Sequence, residues 1–224
     1  TCALPICASQ WISFASKMEQ AGADGVELNM FILPSDVNTT TDDVERIYED
    51  VIQSIRRAIS IPVSLKISPY FSSLARFAQK VSWMGIANLH IFNRFATQDI
   101  DINKICLESA NVFSSPSDIH RVLRWTAILS NIINCPLTAG GGVHKPQDVI
   151  KLLLAGASTV QVVSAVYEQG VEFIADANKM LQDWMSEKGF QSIEEFRGKL
   201  AVERNEKSSA FHRVQFMKYF ANIN

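Results

Sequence analysis

The sequence predicts an α/β fold, a closed (β/α)8 barrel of which these 224 residues supply strands three to eight. Three observations predict it. Short apolar runs alternate with stretches of helical spacing six times in succession. Each connection is long enough for a parallel crossover. The triple glycine, Gly140-Gly141-Gly142, closes a late run rather than the first. In an open doubly wound sheet the glycine-rich phosphate turn follows the first strand, whereas a barrel commonly builds its phosphate site after strands seven and eight. Taking residues 137–143 as the seventh strand and 159–165 as the eighth leaves two βα units expected before Thr1. Six strands alone would leave two bare sheet edges.

The units follow in order. Residues 4–9 (LPICAS) form the first apolar run, and residues 11–21 carry helical spacing through Trp11, Phe14, Ala15, Met18 and Ala21. Residues 22–24 turn the chain into the second run, residues 25–30 (GVELNM). A polar loop over residues 33–41 leads to a helix over 42–60, apolar at Val44, Ile47, Tyr48, Val51, Ile52 and Ile55. Its acidic first turn suits the helix dipole. The third run is residues 62–67 (PVSLKI), followed by an amphipathic helix over 72–84 and a fourth run at 86–92 (IANLHIF). Residues 94–116 are polar and irregular, long enough for a functional loop. A helix over 117–131, the glycine-ended run, a further helix, the run at 159–165 and a long helix over 168–188, stopped by Gly189, complete the series. No Pro/Ser-rich linker divides it. Residues 1–200 therefore read as one barrel domain, and residues 201–224 as a tail, helical and apolar on one side, docked on the body or on a neighbour.

Composition narrows the function classes. A formal charge of −2 provides no basic field for nucleic acid. No apolar segment approaches the ~18 residues of a membrane span, and no signal peptide is recognisable. Cys2, Cys7, Cys106 and Cys135 form no C-x-x-C pair and have no zinc-like histidine spacing, so reduced cysteines in a cytoplasmic protein without a metal site are expected.

Polar residues at the C-terminal ends of the runs are the site candidates, because that face holds barrel active sites. Asn29 closes GVELN, Lys66 closes PVSLK and Asn93 closes NLHIFN. Strand alternation places Glu27 beneath Asn29, Ser64 beneath Lys66 and Ile91 beneath Asn93, and turns His90 toward the helices. A buried Glu27 requires a partner, and Lys66 on the adjoining strand is the expected one. Arg94 is suited to an anionic substrate group. Gly140, Gly141 and Gly142 let backbone N–H groups approach an anion; a tight turn without a ligand would use the same residues.

Residues 22–29 (GADGVELN), 63–71 (VSLKISPYF), the 139–142 turn, LAGA at 154–157 with Val160-Gln161-Val162, and 189–200 (GFQSIEEFRGKL) together resemble the dihydroorotate dehydrogenase family, particularly its class 1 and class-1-like members. The resemblance implies an FMN-binding barrel that oxidises dihydroorotate to orotate in pyrimidine synthesis, as a cytoplasmic homodimer. It implies Lys66 against the flavin ring, Asn29 and Asn93 on the substrate ring, and Gly141, Gly142, Val163 and Ser164 around the FMN phosphate. Val163-Ser164 replaces the usual Gly-Thr pair. A larger departure follows Asn29, where the family places a Cys or Ser base. This chain reads Met30-Phe31-Ile32-Leu33-Pro34-Ser35, with Ile32 near the base position and Ser35 the remaining hydroxyl. Two other readings fit the glycine cradle: a phosphate-binding lyase or isomerase, and a flavin-binding paralogue that has lost the base.

Overall fold

Five parallel strands lie side by side in sequence order, β1 (Val26–Asn29), β2 (Val63–Ile67), β3 (Asn88–Ile91), β6 (Leu137–Gly140) and β7 (Thr159–Gln161). Between β3 and β6 the chain forms an antiparallel hairpin, β4 (Gln98–Asp101) with β5 (Cys106–Ser109). The structure is a computed structural model that describes residues 8–95, 97–202 and 209–212. Residues 4–7 of the first expected strand lie outside the described residues. Ala8 already belongs to a helix, α1 (Ala8–Gln20).

Helices fill the crossovers: α2 (Thr41–Ala58), α3 (Leu74–Ser82), α4 (Ile119–Leu129) and α5 (Pro146–Leu154). The start of α2 is set locally. The Thr40 hydroxyl accepts from the Asp43 N–H at 3.2 Å, and Asp43 Oδ2 accepts from the Thr40 N–H at 3.0 Å. This reciprocal box satisfies two N–H groups that have no partner within the helix. Val44, Tyr48, Val51, Ile52 and Ile55 then repeat at helical spacing and are buried, whereas Ile47 is exposed.

The sheet's two faces differ in chemistry. Leu28, Val63, Leu65, Ile67, Leu89, Ile91, Leu137 and Ala139 point to the helices and share one core with them. Glu27, Ser64, Lys66, Asn88, His90 and Thr138 point the other way, and none belongs to that core. Sequential strand order with helices on one face is a section of a (β/α) barrel; a doubly wound sheet would reverse its strand order and cover both faces. On the inward face a hydrogen-bonded belt crosses all five strands. The Ser64 hydroxyl donates to Glu27 at 3.4 Å, Asn88 Nδ2 to Ser64 at 2.9 Å and the Thr138 hydroxyl to Asn88 Oδ1 at 3.1 Å, with Thr138 and Thr159 hydroxyls 2.6 Å apart.

Four expectations are corrected. His90 faces inward and Ile91 faces the helices, because β3 ends at Ile91 and alternation counted back from Asn93 does not cross that end. Residues 94–116 carry the β4–β5 hairpin rather than a wholly irregular loop. The last strand ends at Gln161, since Ser164 already begins α6 (Ser164–Gln169). The helix expected over 168–188 is divided by Gly170, at φ +91°, into α6 and α7 (Glu172–Lys188). Trp83, at the C-terminal end of α3, is exposed. Of the expected tail, residues 203–208 and 213–224 lie outside the described residues. The described turn α8 (Ser209–His212) brings Phe211 against the small cluster of Ala127, Ala155 and Val202.

Candidate active site

A cavity of about 690 Å³ opens at the C-terminal ends of the parallel strands. Asn29 from β1, Lys66 from β2, and Asn93 and Arg94 just beyond β3 line one side. Gly140, Gly141 and Gly142 from the end of β6, with Gln161, Val163 and Ser164 from the end of β7, line another. The segment flanking the hairpin, Thr97 and residues 109–114, supplies the remaining wall. Nine of the ten residues singled out in the sequence thus meet at one cavity. The tenth, Ser35, is exposed in the turn after β1 and is absent from the lining.

Each side chain is held differently. Lys66 Nζ donates to Gln161 Oε1 at 2.7 Å, across the width of the sheet. Burial pulls the Lys66 ammonium below its ordinary pKa, and the charge of Glu27 offsets part of that fall. Asn93 is buried, its Nδ2 donating to the Met30 carbonyl at 2.7 Å and the Lys66 carbonyl at 3.3 Å. Those two bonds fix the amide and leave Asn93 Oδ1 buried without a partner, as Asn29 Oδ1 also is. Arg94 is committed elsewhere, with Nη2 donating to the Asn111 carbonyl at 2.8 Å and Nη1 to Asp118 at 3.4 Å. It braces the segment that flanks the hairpin.

Glu27 takes a different partner from the expected one. Its Oε2 lies 2.8 Å from His90 Nδ1, while Lys66 bonds Gln161, so the Glu27–Lys66 link is through charge rather than contact. Burial alone pushes the Glu27 carboxyl up, but the bond and charge of His90, the charge of Lys66 and the Ser64 hydroxyl together hold its pKa below the ordinary range.

The glycines are required sterically. A Cβ on Gly142, at φ +73°, would overlap the backbone of Asp118 and Ile119. A Cβ on Gly140 would stand 2.9 Å from His90 Nε2 and 3.1 Å from Gln161. Gly141, at φ +112°, meets only Val122 Cγ2 at 3.6 Å, so its backbone is the open one. In the loop after Asn29, Met30 is buried and Ile32 packs on the core, whereas Phe31 faces the cavity, edge-on to Phe95 with centroids 5.4 Å apart. The position nearest the expected base is therefore hydrocarbon.

Sequence reasoning missed His90, Gln161, Phe31 and Ser114. Gln161 stood in a recognised run, and two-residue alternation from the end of β7 would have turned it inward. Phe31 and Ser114 lie in loops, where no periodicity reports direction. Among the described residues no group of three or more His, Cys, Asp or Glu side chains is placed to hold a metal. None of the described helices is long and apolar enough to cross a membrane.

The cavity offers an open glycine backbone and a hydroxyl suited to a phosphate, an amine suited to a group that takes on negative charge, and two orphaned amide oxygens suited to N–H donors. Fold and site together define the class, a (β/α) barrel with a glycine-lined cavity at the C-terminal ends of its strands. The chain belongs to the dihydroorotate dehydrogenase family, which it matches over residues 7–185. It is 26% identical to the catalytic subunit of dihydroorotate dehydrogenase B (NAD(+)) of Thermoplasma volcanium, over 88% of this chain and 66% of that protein. The corresponding Pyrococcus furiosus subunit is 27% identical over 82% of this chain and 62% of its own length. The PreA subunit of NAD-dependent dihydropyrimidine dehydrogenase of Escherichia coli K12 is 24% identical over 84% and 49%. The chain thus spans about half to two thirds of the length of these curated relatives.

Proposed function

We propose that this chain is the FMN-binding part of an oxidoreductase of dihydroorotate dehydrogenase type. The observation that carries the reading is the convergence of Lys66, Asn29, Asn93 and the Gly140–Gly142 turn on one cavity. FMN, when bound, supplies the hydride acceptor. Lys66 would stabilise negative charge on the ring, its ammonium already desolvated. Asn93, its nitrogen anchored, would present Oδ1 to a donor of the substrate ring, and Asn29 Oδ1 would do the same. Gly141, Gly142, Val163 and Ser164 would hold the phosphate. Dihydroorotate is the proposed substrate, supported by the names of the archaeal relatives. Family membership supports this chemistry over a lyase or isomerase. A cytoplasmic homodimer belongs to the same reading.

A second reading is favoured by the loop after β1, where Phe31 faces the cavity and Ile32, near the base position, packs on the core. With hydrocarbon in place of the family's base and Ser35 outside the cavity lining, the chain would bind flavin without taking a proton from dihydroorotate. The purified protein should be yellow with a flavin spectrum, and anaerobic dihydroorotate should bleach it. A yellow protein that dihydroorotate leaves oxidised selects the second reading. A colourless protein that takes up no FMN overturns both.

A further inference from the structure

Behind the glycine cradle lies a chain of contacts that neither the family resemblance nor the proposed roles account for. Ser114, on the cavity wall, donates its backbone N–H to Ser164 Oγ at 2.9 Å and its hydroxyl to the same atom at 3.0 Å. Its Oγ also lies 3.0 Å from His144 Nε2, and His144 Nδ1 lies 3.3 Å from Glu168 Oε2. The His144 ring is 9% exposed and Ser164 is buried. The four residues come from the segment after the hairpin, the loop before α5, and α6.

Counting protons gives the chain a direction. A hydroxyl has one proton and two lone pairs. Ser114 gives its proton to Ser164, so its contact with His144 is satisfied when Nε2 carries a proton and donates. On the far side of the ring, Nδ1 lies beside the Glu168 carboxylate at 3.3 Å. Ser164 Oγ, accepting twice, has used both lone pairs. Its own proton has no acceptor among the described residues, and Ser164 lines the cavity beside the glycines. A buried donor without a partner is costly, so the cavity's ligand must bring an acceptor there.

We infer that Glu168, His144 and Ser114 are positioning residues that aim the Ser164 hydroxyl proton at the phosphate of a monoester seated on the Gly141–Gly142 backbone. The ligand's identity as a flavin nucleotide rests on the function proposed above; its phosphate rests on the cradle and on this proton count. His144 acts at one remove. Its ring holds Ser114 as a donor, and Glu168 holds the ring.

The test compares FMN with riboflavin, which differ only in the phosphate, by flavin fluorescence quenching, and measures inorganic phosphate by calorimetry. The intact protein should prefer FMN, and Ser114→Ala and His144→Leu should each cut the FMN-to-riboflavin affinity ratio by roughly ten-fold or more, the range for a hydrogen bond to a charged group. Riboflavin affinity should stay within about two-fold, which a general loss of folding would not allow. Ser114→Ala removes a single oxygen and decides the matter if His144→Leu does not fold. An unchanged ratio in Ser114→Ala overturns the inference and leaves flavin binding standing. Binding of inorganic phosphate without flavin, weakened by Ser114→Ala, sinks the flavin reading and upholds this one. Failure to bind either flavin or phosphate overturns both.

Discussion

Leu65 and Lys66 are neighbours in the chain and opposites in environment. Leu65 has no exposed surface and sits among helix side chains; Lys66 reaches across the barrel to Gln161. The same contrast runs along β1, between Leu28 and Glu27. On the outward face the requirement is volume, which many apolar residues can supply. On the inward face every polar atom needs a partner at a definite angle, so identity matters and packing energy contributes little. Stability is thus expected to reside on one face of the sheet and ligand chemistry on the other.

Truncating the outward face should have the largest effect on folding. Leu65→Ala removes a fully buried side chain that adjacent strands cannot collapse to replace, and should cost about 2–5 kcal/mol. Urea unfolding measures it. Protein that remains folded should bind FMN with unchanged affinity, because Leu65 does not line the cavity. A variant as stable as the parent, or a folded one with weakened FMN binding, would break the division between faces.

The division was half readable in the sequence. Apolar positions repeat every second residue in β2 and at helical spacing in α2, and these periods alone identify the core. The glycines and the strand-end Asn29, Lys66 and Asn93 were readable because strand order sends strand ends to one rim. The inward partners were not. Lys66 meets Gln161, 95 residues away, and Glu27 meets His90, 63 residues away, and such pairs depend on register and on where each strand stops. The His90 error shows it: one residue of misjudged strand length reverses every direction before it. The Ser114 to Glu168 chain joins loop residues to a helix, and no local period encodes it.

On the inward face, Lys66→Met should separate function from folding. It removes one hydrogen bond and a desolvated charge together, so stability should change by no more than about 1 kcal/mol. Flavin reduction should slow by about a hundred-fold or more if the ammonium stabilises ring charge. Stopped-flow reduction alongside urea unfolding resolves the two. Loss of folding in step with reduction would make Lys66 structural, and the contrast with Leu65 would disappear.

The smallest effect is expected from Glu27 and appears as a dependence on pH. Its carboxyl, with an ordinary value of 4.5, is lowered in the folded protein despite partial desolvation, because His90, Lys66 and Ser64 favour the charged form. A group whose folded pKa is depressed contributes stability that is present above its unfolded value and lost as the pH falls through the folded one. The parent should therefore lose this contribution below about pH 4.5, whereas Glu27→Gln, having no carboxyl to protonate, should lack that component of acid destabilisation. Because the Glu27 side chain is 36% exposed, solvent screens the interaction and the difference should be small. Thermal midpoints of both proteins between pH 3 and 7 measure it, with roughly parallel curves above pH 5 and convergence toward the acid end. Curves that stay parallel throughout would mean that Glu27 is not held by the inward belt, and that the polar face contributes to ligand chemistry alone.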